Sequence, residues 1–382
     1  MDFSFEQGPI RPPSEAKSLL IRVTRNCPWN KCAFCNSYRG KKFELRPLDE
    51  IIADIKKMQE IASHVQKLSW KLGEGGKVTN RVIRLIFGQE STYDDNFRSV
   101  AAWLYFGGQS IFLQDADSLI LKTETLVSVL NEIKNAFPFV TRITSYCRSK
   151  TASRKSVDEL KRLKSAGLSR IHIGMESGYD PLLAYIRKGV TAAEHINGGR
   201  HVVEAGLSLS EYVVPGLGGI RWTREHAEET AHVLNQINPD FIRLRSLHAV
   251  PGTDLHDKLL KGDFIPLSDN DVVKEIRSLI EGLEGIESCV VSDHILNLLE
   301  EVEGKLPQDK EKILSVIDRY LALPEKDQLI FRLGRRKGIY RSVDDFSDSR
   351  LYNSLRETVE EYELREPGQL DKALSLMMHS YI

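Results

Sequence analysis

Three of the chain's five cysteines lie within nine residues, in the stretch Cys27-Pro28-Trp29-Asn30-Lys31-Cys32-Ala33-Phe34-Cys35. Thiolates are soft donors that suit zinc and iron-sulfur iron. The informative number is three. Structural zinc sites and simple ferredoxin clusters take four protein ligands. Three thiolates around a [4Fe-4S] cluster leave one iron open to a substrate or cofactor. The competing reading is a zinc loop that borrows a fourth ligand from elsewhere, His248 or Cys147.

These residues need a frame to hold them. Residues 19–24, Leu-Leu-Ile-Arg-Val-Thr, read as a strand, so the cysteines sit on a loop at its carboxyl end, where α/β sheets place their sites. Pro47 stands where a helix can start, and Leu48, Ile51, Ile52, Ile55 and Met58 recur at helical spacing. That helix reaches about Trp70, before Gly73, Gly75 and Gly76. Residues 60–108 read as an insertion, with a helix around 97–105. Strands then follow at 110–114, 142–146, 170–174, 207–214 and 241–245. Helices separate them at 123–137, 156–166, 191–205 and 223–237. Ser156 and Glu159 have the spacing of a capping box, and Gly167 follows the helix. Strand-helix alternation predicts a parallel sheet with right-handed crossovers. From about residue 295 no strand signal remains, and the pattern is helical.

Composition narrows the class. A hydrophobic fraction of 41% is ordinary for a globular chain. The net charge of −1 gives no overall basic field, so nucleic acid is not indicated. No apolar run is long enough to span a membrane. The first thirteen residues, acidic and proline-bearing, do not read as a secretory signal. Clustered cysteines with no disulfide framework suit a reducing, cytoplasmic setting.

The cysteine loop resembles that of the radical S-adenosylmethionine (SAM) superfamily, in which a C-x3-C-x2-C loop holds the cluster and SAM occupies the open iron. Phe34 matches the aromatic residue that commonly precedes the last cysteine. The first spacing here is one residue longer. Gly174-Met175-Glu176-Ser177-Gly178 resembles the Gly-x-Glu/Gln-Ser-Gly signature near the coproporphyrinogen dehydrogenase and methylthiotransferase branches. The likeness covers roughly residues 19–255. It implies an α/β fold, a partial (β/α)6 barrel over 19–294 that carries the 60–108 insertion. An N-terminal extension over 1–18 and a helical C-terminal domain over 295–382 flank it. It also implies a [4Fe-4S] cluster, SAM, oxygen sensitivity, and an electron donor such as flavodoxin or ferredoxin.

The resemblance assigns roles residue by residue. Cys27, Cys32 and Cys35 are the expected cluster ligands. Asp115 and Asp117, after the second barrel strand, are charge-matched to the SAM ammonium; a solvated turn or helix cap is the structural alternative. Ser145 and Arg148 end the third strand, and Arg148 suits a carboxylate. Glu176 has acceptor oxygens for a ribose diol. Arg187 and Lys188 follow in an R-K-G segment. His248 lies after the sixth strand, and Phe34 sits in the cysteine loop. Cys147 is a catalytic candidate whose alternative is a small buried side chain. The basic stretch 332–337 reads as a helix end or interface, with a phosphate or RNA contact as the other possibility.

The expected activity is reductive cleavage of SAM and abstraction of a hydrogen atom from a small-molecule or otherwise unidentified substrate. A heme or iron-handling chaperone on the same barrel is the second reading. A non-catalytic zinc-loop module is the third.

Overall fold

The computed structural model describes residues 3–89, 92–365, 370, 373, 374, 376 and 377. The parts of the expected N-terminal extension, insertion and C-terminal domain that fall on 1–2, 90–91, 366–369, 371–372, 375 and 378–382 lie outside the described residues. The strands are β1 Leu19–Arg22, β2 Thr24–Arg25, β3 Glu44–Leu45, β4 Ser110–Gln114, β5 Arg142–Cys147, β6 Leu168–Glu176, β7 Ser208–Val213, β8 Phe241–Leu244, β9 Cys289–Val291 and β10 Gly304–Lys305. One sheet has the order β1-β4-β5-β6-β7-β8-β9-β10, and β2 and β3 form a separate two-stranded ladder. The pairs β1/β4, β4/β5, β5/β6, β7/β8 and β8/β9 are parallel. Helices lie between successive long strands. This is the α/β strand order of the expected partial (β/α)6 barrel.

Two differences have a common cause. The strands β9 and β10 escaped the sequence reading, and β10 pairs antiparallel to β9 beyond residue 295, where only helix was expected. At three and two residues, neither is long enough to show an alternating pattern. Helix Asn80–Phe87 was also unread. It buries only Val82 and Ile86, too few positions to declare a period. Among the described residues, no helix is long and apolar enough to cross a membrane.

Local chemistry explains the long helices. Helix Leu48–Lys71 buries Ile51, Ile55, Met58, Ile61, Ala62 and Val65 at helical spacing. Helix Val157–Ala166 carries the expected capping box, Ser156 with Glu159, and ends at Gly167, whose φ of 121° suits glycine.

The chain divides into two compact units, one over 1–30, 37–173 and 197–209, the other over 31–36, 174–196 and 210–382. The expected borders at 18/19 and 294/295 are not the borders of these units. In the first unit, residues 3–18 are tied to the rest of it. The Phe3 ring meets Phe97, Glu6 accepts from Arg22 and Arg25, and Gly8 N–H donates to Gln114 Oε1 at 2.8 Å. In the second unit, helices Lys310–Leu321, Glu325–Arg336 and Ser349–Arg365 follow β10. The basic stretch is an interface. Asp269 accepts from Arg332 Nε at 2.9 Å and Arg336 Nη2 at 3.0 Å, while Arg335 pairs with Glu300 at 2.9 Å. Those three cations are thus engaged within the fold rather than held out to a phosphate.

A buried carboxylate anchors the first unit. Glu15, fully buried, accepts from Arg142 Nη1 at 2.7 Å and Nη2 at 2.8 Å, from Ser18 Oγ at 2.6 Å, and lies 3.3 Å from His172 Nε2. Burial raises its pKa, but the hydrogen bonds of His172 and Ser18 and the charge of Arg142 prevail and hold it at about 2. A carboxylate with a depressed folded pKa contributes stability above its unfolded value of about 4.3 and loses it as pH falls toward the folded value. Glu15→Gln is therefore expected to cost about 3 kcal/mol at neutral pH, because the buried position loses the carboxylate that pairs Arg142 and accepts from Ser18. Denaturant unfolding checks this. The gap between wild type and variant should shrink as pH falls from about 4.3 toward 2, and a gap constant over that window would contradict the assignment.

Candidate active site

The cysteine loop is closed at its base by the β2/β3 ladder, Thr24 opposite Leu45 and Arg25 opposite Glu44. In the first unit, Asp115 organises the loop's start. Its Oδ2 accepts from Arg22 Nε at 2.8 Å, Arg22 Nη2 at 2.6 Å and Asn26 N–H at 2.9 Å, and its Oδ1 accepts from the Tyr38 hydroxyl. Asp115 is fully buried. Burial and the Asp115 charge push the Tyr38 hydroxyl well above its ordinary pKa, which keeps it a donor. Asn26 and Asn30 both take positive φ, 68° and 48°, a conformation asparagine tolerates better than most residues. Asn30 Nδ2 donates to the Tyr38 carbonyl at 2.5 Å, and Asn30 N–H donates to Cys27 Sγ at 3.4 Å.

The carboxylates expected to meet an ammonium are thus otherwise engaged. Asp115 holds the loop. Asp117 accepts from Arg148 N–H at 3.2 Å and Thr151 Oγ1 at 2.5 Å, capping the turn before helix Ser149–Arg154. Burial pushes its carboxyl up to about 6 against those hydrogen bonds. Ser145 is buried and donates to the Tyr146 carbonyl at 3.0 Å. Cys147 is buried, donates to the Arg148 carbonyl at 3.3 Å, and its thiol is raised by burial and by the Asp117 charge. A protonated, enclosed thiol is the small buried side chain that was its alternative reading. The Arg148 guanidinium lies 5.2 Å from the centre of the Trp29 ring.

The second unit fixes the rest of the loop. Ala33 N–H donates to the Ile186 carbonyl and Leu255 N–H donates to the Ala33 carbonyl, both at 2.8 Å. Cys35 N–H reaches the Cys32 carbonyl at 3.3 Å. Phe34 packs against the cluster of Leu182, Ile186, Val214, Leu217, Leu255 and Phe264. Phe34 is therefore an apolar anchor between the two cysteines that flank it, Cys32 partly buried and Cys35 exposed.

The turn after β6 explains its own residues. Glu176 has a φ of 67°, and its carboxylate folds back over Gly174 to meet Lys188 Nζ at 2.8 Å. A side chain at 174 would put Cβ 2.2 Å from Glu176 Oε1. Ser177 Oγ lies 2.9 Å from His226 Nδ1, and Gly178 N–H donates to Thr230 Oγ1 at 2.9 Å. A Cβ at 178 would stand 2.4 Å from the Glu229 carbonyl, so glycine permits the close approach to helix Gly219–Ile237. Of the R-K-G pair, Lys188 meets Glu176, while Arg187 pairs with Asp254. His248 is half-buried in the irregular segment after β8.

One residue was missed by the sequence reading. Glu211, in β7, is fully buried, and neither carboxylate oxygen has a hydrogen-bond partner. Burial raises its pKa well above the ordinary carboxylate range, the Glu176 charge raises it further, and Lys188 opposes. The signal was present: a lone acid inside the strand run Ser-Leu-Ser-Glu-Tyr-Val, where an unpaired carboxylate costs several kcal/mol. The Glu176–Lys188 pair is charged, and its two charges act in opposite directions on the unpartnered carboxyl of Glu211. Among the described residues, no three His, Cys, Asp or Glu side chains are gathered as a single bound ion would need.

No family model matches the chain. Among curated proteins it is similar to tRNA uridine(34) acetyltransferase of Methanocaldococcus jannaschii, 20% identical over 301 residues, 70% of this chain and 49% of that protein. The enzyme of the same name from Methanocaldococcus infernus is 20% identical over 300 residues, 70% of this chain and 50% of that one. The chain thus spans about half the length of these relatives. Among solved structures it is similar to TsrM from Kitasatospora setae, a radical S-adenosylmethionine methyltransferase with cobalamin and a [4Fe-4S] cluster bound. That match is 12% identical with a TM-score of 0.44, over 90% of this chain and 61% of that one. It is also similar to methylornithine synthase (PylB), at 13% identity and a TM-score of 0.41, over 87% of this chain and 85% of that one. The cysteine loop and the Gly174–Gly178 turn are the two stretches in which the sequence resembles the radical S-adenosylmethionine superfamily.

Proposed function

We propose that this protein is a radical SAM enzyme in which Cys27, Cys32 and Cys35 hold a [4Fe-4S] cluster. On this reading Glu176, Lys188 and Glu211 receive SAM. The carrying observation is Glu211. A buried carboxyl with two unpartnered oxygens is a site built for a polar ligand, since leaving it unpaired is costly. The donor chemistry fits. Glu211, held protonated by its surroundings, offers one donor and one acceptor, and Glu176 offers acceptors, which together match a ribose diol. Lys188 keeps the Glu176 carboxylate oriented. The Asn30 N–H that donates to Cys27 Sγ helps to fix where that sulfur stands. The backbone bonds of Ala33 fix where Cys32 and Cys35 are presented.

The chemistry that a reduced cluster with SAM supplies is cleavage of a sulfonium carbon–sulfur bond and abstraction of a hydrogen atom from substrate. The chain's part is to bind, to orient and to exclude water. Asp115, Asp117, Ser145 and Cys147 serve that end as positioning or enclosed residues, and Arg148 with Trp29 covers the loop's first half. His248 stays a candidate for contact with SAM or substrate from the segment after β8. A small-molecule substrate, a flavodoxin- or ferredoxin-type electron donor and a cytoplasmic, low-oxygen setting complete the proposal. An RNA substrate is the second reading, favoured by the 301-residue likeness to an enzyme named for tRNA uridine(34). A mobility shift with bulk tRNA discriminates the two. Turnover of SAM discriminates an enzyme from an iron- or heme-handling chaperone.

Three outcomes are expected. Replacing any one of Cys27, Cys32 or Cys35 by Ala should abolish the brown chromophore of the anaerobically reconstituted chain, and a triple variant that still binds iron and sulfide in fours would contradict the ligand set. Glu176→Gln should lose about 1.5–3 kcal/mol of SAM affinity, roughly ten- to hundredfold, as befits a lost charge-assisted hydrogen bond. Glu211→Gln should also weaken SAM, yet leave the ligand-free chain at least as stable at pH 8. The raised carboxyl of Glu211 destabilises the fold as pH climbs above its unfolded pKa, and Gln has no such charge. Titration calorimetry and thermal melts report both. Unchanged SAM binding in the two variants would contradict the cradle.

A further inference from the structure

A second unsatisfied group lies in the same unit, beyond the end of β8. Arg245 follows β8, its N–H donating to the Val213 carbonyl at 2.9 Å, and its guanidinium lies 4.4 Å from the centre of the Tyr212 ring. That stacking fixes the guanidinium in place. Its Nε and Nη2 are both buried, and neither has a hydrogen-bond partner. Those two donors form one edge of the fork, the edge that meets two oxygens of a carboxylate or phosphate at once. His294 brings a third orphan, Nδ1, also buried and without a partner.

The surroundings do not satisfy these groups. Arg243, two residues before Arg245, is fully engaged with Asp293 at 2.8 Å and Ser210 at 3.2 Å. Asp293 is thereby committed to Arg243. The segment that carries His294 is strapped to the strand end: Asn297 Nδ2 donates to the Leu244 carbonyl at 2.9 Å and Ser292 Oγ lies 3.0 Å away, while Asn297 Oδ1 accepts from Ser246 N–H at 2.9 Å. The donors therefore stand on a fixed frame, as a site built to receive a ligand requires. His294 is held at about 4, by burial first and by the Arg245 charge next, with Asp293 opposing, so it is neutral near pH 7. A neutral imidazole can donate from Nδ1 without adding a second buried charge.

We propose that Arg245 and His294 form a binding site for an oxyanion, the carboxylate or phosphate of a substrate distinct from SAM. The side-on edge of Arg245 takes two oxygens, and His294 Nδ1–H donates to one of them. Tyr212 supports the guanidinium from its face. The site uses neither the cysteines nor Glu176, Lys188 and Glu211, so it stands or falls separately from the reading of cluster and SAM.

The test uses the full chain without iron. Inorganic phosphate and acetate are titrated, followed by calorimetry and thermal shift, with chloride at matched ionic strength as control. At least one of the two oxyanions should raise the melting temperature saturably where chloride does not, and which one does so distinguishes a phosphate from a carboxylate ligand. Arg245→Gln should weaken that binding at least tenfold while leaving the anion-free chain no less stable, because it removes a cation two of whose donors are buried without partners. Arg245→Lys keeps the charge but loses the two-donor edge, so it should fall between; it decides the matter if Arg245→Gln does not fold. Neither anion exceeding chloride, or equal binding by Arg245→Lys and wild type, overturns the site. In the reconstituted chain, Arg245→Gln should bind SAM as wild type does. A matching loss of SAM affinity would overturn the assignment to substrate and give the oxyanion to SAM itself.

Discussion

Asp115 is the point on which the first half of the cysteine loop depends. Its carboxylate joins β1 through Arg22, the loop through Asn26 and Tyr38, and its own strand end at β4. A buried carboxylate tolerates its position only when its oxygens are satisfied, and here three residues supply the donors. The same interaction explains why Asn26 is held in a left-handed conformation immediately before Cys27: its N–H must turn toward Asp115. Position of the first thiol is thus bought with a buried ion pair rather than with apolar packing.

The other half of the loop rests on different physics. Ala33 is hydrogen-bonded on both sides of its peptide, and Phe34 is seated in an apolar cluster. Alanine at 33 is nearly fully enclosed, so a larger side chain there would press on its neighbours. A polar knot thus fixes Cys27, and backbone pairing with apolar packing fixes Cys32 and Cys35. The buried acids sort by the same accounting. Glu15, Asp115 and Asp117 have their donors and shape the fold. The Glu211 oxygens lack donors, and the inner edge of Arg245 and Nδ1 of His294 lack partners too. Buried polar groups left without partners are what a polar ligand would satisfy.

The parallel strands were legible in the sequence because each is a run of apolar residues between helices with clear caps, as at Ser156 and Gly167. The cysteine loop was legible because three thiols at that spacing have few other uses. Glu176 stood out through its flanking glycines, and the structure gives those glycines their reasons, at Gly174 beneath the carboxylate and at Gly178 against a helix backbone. Asp115 and Asp117 drew a ligand reading because charge and position at a strand end look alike for a ligand contact and for a loop brace; their hydrogen-bond partners show the brace. Glu211 and Arg245 were passed over for the opposite reason. Each is a single charge within or beside an apolar strand, and sequence alone does not show whether a donor or acceptor waits across the fold. The strands β9 and β10 were too short to carry a pattern.

The central claim is a cluster on Cys27, Cys32 and Cys35 with an iron that SAM can reach. Its most direct test is the paramagnetic spectrum of the anaerobically reconstituted, dithionite-reduced full chain, recorded with and without SAM. The account predicts a reduced four-iron cluster signal whose line positions move when SAM is added. A cluster signal untouched by saturating SAM would contradict it.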